Sequence, residues 1–312
     1  MINEVKLSGY VYEHDLAIKT VQNQQSENYG KEFINGSLSV ATDEEGLNVI
    51  TVHYTFVTEM TKAGKVNVTY SNLKKIIENG KTWVADGKEN ATKVRLTPAA
   101  ALNDFYPQGQ DELVSQQRCE GGFVTIVSEL DPPESTSRNS FRCDMVITSF
   151  ERVVDENGVE PDYGRLRGVF FNFRNDILPY NLVIRKPSGV DWFEEQDISK
   201  KNPLFINVRG SIVSKVIKTT KTTESAFGEP TVDVVERRQR EWLVSTAGPV
   251  PYPWDDEESI TAAELKEKAQ DREVYLANEK KRSSEYYASR QAGVTKTTGS
   301  VTKNVADEDF NF

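Results

Sequence analysis

The sequence predicts a mainly β protein: two small barrels in tandem, followed by a helix and a polar tail. Three observations carry this. Apolar residues alternate with period two through most of the first 247 residues. The order strand, strand, strand, short helix, strand, strand can be traced twice. A proline-rich break at Pro249, Pro251 and Pro253, beside Trp254, then precedes a helix-opening motif, Thr261-Ala262-Ala263-Glu264.

In the first half, Val5, Leu7, Gly9 and Val11 alternate with Lys6, Ser8, Tyr10 and Tyr12, the pattern of a half-buried strand. Residues 32–42 and 47–57 read as two strands joined by the acidic turn Asp43-Glu44-Glu45-Gly46. A short helix is expected over 70–79, where Leu73, Ile76 and Ile77 share a face and Gly80 stops it. Strands at 119–127 and 141–153 follow, separated by the loop Asp131-Pro132-Pro133-Glu134-Ser135. In the second half, strands are expected at 165–173 and 177–184, with Lys186-Pro187-Ser188-Gly189 as a break. A helix over 190–198 and strands at 204–217 and 232–244, paired across the 224–230 loop, complete it.

This is the strand order of an oligonucleotide-binding barrel, the OB-fold. The expected domains are a first OB-like unit over 1–140, a second over 141–248, a Pro-rich linker with a charged helix over 249–292, and a flexible tail over 293–312. The segment 81–117 reads as a long insertion in the first unit. A single β-sandwich across the same span accommodates the short strands and turns as well. Thr261 and Glu264 form a capping box opening a helix that runs to about Arg290, and Gly293 ends it.

The chain has 312 residues, 37% of them hydrophobic, and a formal charge of −10. That length allows a sizeable core. The charge argues against a surface coated throughout in nucleic acid but leaves room for a local basic groove. No apolar run is long enough to span a membrane, and the first residues lack a basic head with an apolar stretch, so a cytoplasmic protein of a bacterial cell or phage-infected host is expected. Cys119 and Cys143 are expected to be reduced and structural, and His14 and His53 are the only histidines. No spacing of Cys, His or carboxylates points to a metal, a cofactor or a catalytic triad, so the chain reads as non-enzymatic.

A protein that holds single-stranded nucleic acid needs cations along the phosphates and flat side chains under the bases. Several strands offer both. Residues 204–223 contain no acid in a chain with 48, and Arg209, Lys215, Lys218 and Lys221 fall there. Arg165, Arg167, Phe171 and Phe173 share one parity, as do Arg238, Arg240 and Trp242. Lys6, Tyr10 and Tyr12 lie opposite the core set of Leu7 and Val11, and Tyr54 completes the candidates, with Phe56 left undecided. Each aromatic among them also fits a core. Gly121-Gly122 inside a strand signals a bulge or a close backbone approach. No sequence-reading motif or phosphate-cradling glycine loop is present.

The chain ends Asp307-Glu308-Asp309-Phe310-Asn311-Phe312, after a polar stretch from Gly293 to Ala306. An acidic run closing on a terminal Phe resembles the tip of bacterial and phage single-stranded DNA-binding proteins. The bacterial form carries Pro before that Phe, whereas Asn311 stands here, so the likeness is to the phage-like version. The resemblance implies sequence-nonspecific binding of single-stranded DNA in replication, recombination and repair. It also implies that Asp307, Glu308, Asp309, Phe310 and Phe312 recruit replication and repair proteins. Other readings are a phage structural or adaptor protein with β-rich interaction domains, or a metal-dependent nuclease.

Overall fold

The structure is a computed structural model that describes residues 1–154, 161–223, 231–257 and 259–294; at 216–223, 231–238 and 289–294 it describes backbone alone. The protein is mainly β, with a long C-terminal helix. Its described strands form one hydrogen-bonded sheet of eleven that closes on itself twice.

The first barrel uses β1 (Asn3–His14), β3 (Glu32–Ala41), β4 (Val49–Thr58), β5 (Lys93–Phe105) and β6 (Val114–Ile126). β1 pairs antiparallel with β3, β3 with β4, β6 with β5, and β5 with β1. Parallel pairing of β4 with β6, at Val52–Cys119 and His53–Glu120, closes the ring. A short β2 (Ala17–Thr20) widens the sheet beside β3. The acidic turn is present: the Asp43 carboxylate accepts from the amides of Leu47 and Asn48 at 2.9 and 2.7 Å.

α1 (Val68–Asn79) lies between β4 and β5 in the chain and starts before residue 70, because the Asn67 side chain caps it at the Thr69 amide, 3.1 Å. Tyr70, Leu73 and Ile76 form its buried stripe. Gly80 follows it in extended rather than left-handed conformation, with φ of −68°.

Here the sequence expectation needs correcting. Residues 141–153 do not close the first barrel; β5 does, from within the segment read as an insertion. Its Pro98 and alanine run argue against a strand. A bulge resolves this: between Thr97 and Ala99 the register shifts against Gly121 and Gly122, which have φ of 62° and 80°. A Cβ on Gly122 would run into the Thr97 carbonyl.

The second barrel repeats the pairing with β7 (Asn139–Val153), β8 (Tyr163–Phe171), β9 (Ile177–Ile184), β10 (Leu204–Thr223) and β11 (Thr231–Ala247). Antiparallel pairs β7–β8, β8–β9, β10–β11 and β10–β7 are closed by a parallel contact of β9 with β11 at Val183–Leu243. Each ring thus has the strand order of an OB-fold, and neither is a sandwich. α3 (Pro187–Glu194) begins at Pro187, which suits the first helical turn where its missing N–H is not needed.

The barrels are joined by antiparallel pairing of β1 with β7, from Asn3–Cys143 to Leu7–Asn139. Buried polar groups tie the joint. Asn3 Nδ2 donates to the carbonyls of Ala100 and Phe171, at 2.9 and 3.0 Å. The Tyr180 hydroxyl lies 2.9 and 3.2 Å from the Ala101 and Arg118 carbonyls. Beyond the second barrel, β10 leans on the first: Asn48 donates to the Ile212 carbonyl at 3.1 Å and accepts from the Ser214 amide at 2.7 Å. These bonds satisfy carbonyls that would otherwise be buried unpaired.

A single apolar core runs through both barrels, from Val5, Leu38 and Tyr54 to Phe170, Tyr180 and Trp242. A second cluster of Val146, Phe171, Ile177, Phe205 and Ile260 is roofed by Tyr252, Trp254 and Leu265. α4 (Ala262–Val294) opens with the expected capping box, Glu264 N to Thr261 Oγ1 at 3.1 Å and Thr261 N to the Glu264 carboxylate at 2.8 Å. Arg272 then pairs with Asp104 at 2.9 Å, pinning the helix across the end of β5. Cys119 and Cys143 are free and buried, and burial pushes the Cys119 thiol up to about 12.

Candidate nucleic-acid interface

Strands β3–β4 and β8–β9 are the second and third of their barrels, the pair whose outer face OB-folds use for oligonucleotides. On β3–β4, Phe33 and Phe56 stack with ring centroids 4.6 Å apart, and Phe56 is 40% exposed. Phe56 shares parity with buried Tyr54. A bulge between Ile34 and Gly36 lets two residues of β4 face one of β3, which turns Phe56 outward. Lys19 lies opposite Phe33 on β2 and donates to Asn35 Oδ1 at 3.1 Å.

The face continues toward the second barrel. Asn35 Nδ2 donates to the Thr55 carbonyl at 2.9 Å, and Glu120 pairs with Arg118 at 2.8 Å. His53 lies opposite Glu120. Burial, then the charges of Arg118 and Arg240, hold its imidazole below the ordinary value of 6.5, against the pull of Glu120 and Asp15. The seam is bridged by Gln117 Nε2 on the Asn181 carbonyl at 3.0 Å.

Across the seam, Asn181, Arg165 and Arg167 line an open depression of about 300 Å³. Arg165 donates to the Tyr163 hydroxyl at 2.8 Å, and the guanidinium carbons of Arg165 and Arg185 lie 5.4 and 5.2 Å from the Tyr163 ring centroid. Arg185 is anchored on Glu241 at 2.7 Å. Arg167 meets Glu151 at 3.4 Å with both side chains more than half exposed, a pairing that holds it weakly. At the tip of the β8–β9 hairpin, Phe173 is 88% exposed with the Arg174 guanidinium 5.1 Å from its ring centroid.

The structure sorts the sequence candidates into four groups. Arg165, Arg167 and Phe173 stand on the β8–β9 face or its tip, and Arg240 is exposed within electrostatic reach of His53. Lys6 and Arg209 are exposed on a different wall, formed by β1, β7 and β10, and Lys215 is exposed farther along β10. The side chains of Lys218, Lys221 and Arg238, and all of Asp307, Glu308, Asp309, Phe310 and Phe312, lie outside the described residues.

The fourth group is core or closed, and these assignments are corrected. Tyr54 shares parity with Ile50 and Val52 and points into the first barrel, 1% exposed. Trp242 fills the second barrel against Phe141 and Tyr180, both 5.1 Å away between centroids. Phe171 does face outward, but the chain leaving β11 folds back over it, so that Val169-Phe170-Phe171 is covered on both sides. Phe205 on β10 is buried in the same way.

Tyr10 and Tyr12 are half-buried beside Trp83 of α2 (Trp83–Asp86), at 5.5 and 6.2 Å between centroids. Lys88 and Arg138 flank the Tyr10 ring at 5.6 and 5.9 Å, and its hydroxyl bonds Glu44 at 3.1 Å. The bond from Lys88, then those from Tyr10 and the Arg138 charge, hold Glu44 below the usual carboxylate range against its burial. This cluster ties the Asp43–Gly46 turn to α2 and to the inter-barrel connection, and leaves no face of Tyr10 for a base.

Phe33, Arg118, Tyr163, Arg174 and Arg185 were missed. Tyr163 was the most accessible from sequence, since it alternates in phase with Arg165 and Arg167. Arg118 was not, because its position depends on the seam.

Among the described residues, no group of three or more His, Cys, Asp or Glu is placed to hold a metal, and no helix is long and apolar enough to cross a membrane. The family that matches this sequence is YorF, over residues 2–282. The chain belongs to the YorF family. No curated protein matches. Among solved structures, the chain is similar to the wild-type single-stranded DNA-binding protein from Thermus aquaticus, at 12% identity and a TM-score of 0.45, covering 81% of this chain and 95% of that one. A deletion mutant of the same protein gives 11%, 0.46, 83% and 98%. A replication protein A heterotrimer bound to single-stranded DNA gives 10%, 0.20, 77% and 49%. At these TM-scores the overlays add nothing to the fold, which rests on the strand pairings.

Proposed function

We propose that this YorF-family chain binds single-stranded DNA without reading its sequence, and that it does so without catalysis. The observation that carries this is the continuity of one face across both barrels. It begins at the stacked Phe33–Phe56 pair, passes His53 and Arg118, and ends on Tyr163, Arg165 and Arg167. Exposed rings accept any base, and exposed guanidinium groups accept any phosphate, so the face suits a strand of arbitrary sequence. The exposed Phe173 with Arg174 extends it at a hairpin tip.

DNA rather than RNA is the reading because the acidic, Phe-terminated end resembles that of bacterial and phage single-stranded DNA-binding proteins. On the same ground, Asp307, Glu308, Asp309, Phe310 and Phe312 are proposed to recruit proteins of replication, recombination and repair.

The test is fluorescence anisotropy of labelled oligo-dT titrated with the full chain at low and high salt, with a duplex control and a chain ending at Ala306. Strand-selective binding that weakens with salt is expected. Equal binding of duplex, or none of either, would remove the reading and favour a structural or adaptor role.

A further inference from the structure

Arg142 on β7 and Arg209 on β10 are directly opposite one another, and both are exposed. Like charges in that arrangement repel. Neither arginine forms an ion pair among the described residues. Instead both donate Nε to a single atom, Asn207 Oδ1, at 3.4 and 3.1 Å.

Asn207 is buried and held in one orientation, because its Nδ2 donates to Asp144 Oδ1 at 2.8 Å. Asp144 is itself buried and fixed by the Ile2 amide at 2.6 Å and the Tyr252 hydroxyl at 3.0 Å. With each Nε committed to the asparagine, the remaining N–H donors of both guanidinium groups are available to a ligand. Two such forks side by side match the oxygens of one phosphate group. Glu4, exposed across β1 from Arg142, and Asp144 beneath offset part of the positive charge. That balance suits the single charge of a phosphodiester better than the double charge of free phosphate.

We infer that Arg142, Asn207 and Arg209 form a phosphodiester-binding site on the β7–β10 wall, separate from the β8–β9 face. A single strand long enough to leave that face would engage it. The inference rests on the proposed single-strand binding.

The experiment compares the salt dependence of binding for the shortest oligo-dT that binds and for a much longer one, using wild type and R142Q/R209Q. The double variant is expected to reduce the long-strand slope of log K against log salt by about 1.4, at about 0.7 per lost phosphate contact. The short strand should be unaffected, and melting of the variant should be at or above wild type once the repulsion is gone. R142Q and R209Q alone should each give about half the slope change, which keeps the test available if the double variant folds poorly. An unchanged long-strand slope, or equal losses on both strands, would overturn the site. Inorganic phosphate at constant ionic strength should leave long-strand binding intact; displacement equal to that of the double variant would assign the site to free phosphate and overturn the inference. If wild type binds neither strand, the single-strand reading itself falls, and this site with it.

Discussion

The two barrels close by the same sequence of pairings, yet their equivalent faces carry different chemistry. On the first, β3–β4 presents the Phe33–Phe56 pair, and its nearby cation, Lys19, is occupied with Asn35. On the second, β8–β9 presents Arg165, Arg167 and Arg185 around Tyr163, while its outward Phe171 is roofed over. One fold thus offers mostly stacking on one side of the seam and mostly phosphate contacts on the other. The contrast teaches that a strand face is set as much by what packs over it as by its own alternation.

The largest expected effect breaks the second barrel. Trp242→Ala removes the ring around which Phe141, Phe170 and Tyr180 pack, and should cost about 3–5 kcal/mol of stability in urea denaturation. A loss below about 1 kcal/mol would be at odds with a core role and would return Trp242 to the candidates for stacking.

A smaller effect sharpens the division of roles. Phe33→Ala with Phe56→Ala should weaken oligo-dT binding by about 1–3 kcal/mol per unstacked base and leave the salt slope unchanged. Arg165→Gln with Arg167→Gln should do the converse, lowering the slope by about 1.4 with little change in melting temperature. If both variants alter slope and affinity alike, the two faces do not differ in the way proposed.

The smallest effect is acid sensitivity, and it should belong to the first barrel, which holds both histidines, His14 and His53. Burial lowers both below the ordinary 6.5, opposed at His14 by Asp15; at His53, Arg118 and Arg240 add to the lowering, and Glu120 and Asp15 oppose it. The folded state therefore prefers neutral imidazole. Its stabilising share is fully present above about pH 6.5 and is lost as pH falls below that toward the folded values. Melting temperature followed from pH 7.5 down to about 5 should decline, with a shallower decline in His53→Asn. An identical decline in wild type and variant would place the sensitivity elsewhere.

Much of the fold was legible in sequence because it depends on local signals. Alternation marked β1, β3, β4, β8, β9 and β10, and the Thr261–Glu264 capping box marked the start of α4. β5 was not legible, because Pro98 and four alanines carry no strand signal and the bulge that accommodates them is formed with β6. The candidate site was less legible than the fold. Parity placed Arg165 and Arg167 correctly on an outer face, but it did not distinguish Phe56, which a bulge turns out, from Tyr54, which stays in.

The sequence by itself determined the strand order, the caps, the turns and the mixture of guanidinium and aromatic groups, since each follows from neighbours a few residues apart. Only the tertiary structure decided which aromatics are available. Phe171 is closed by a segment some 80 residues later in the chain, and Tyr10 by Trp83, Lys88 and Arg138. Arg118 reaches the common face because β6 meets β9. Exposure is a property of what packs against a residue, and that information is not local.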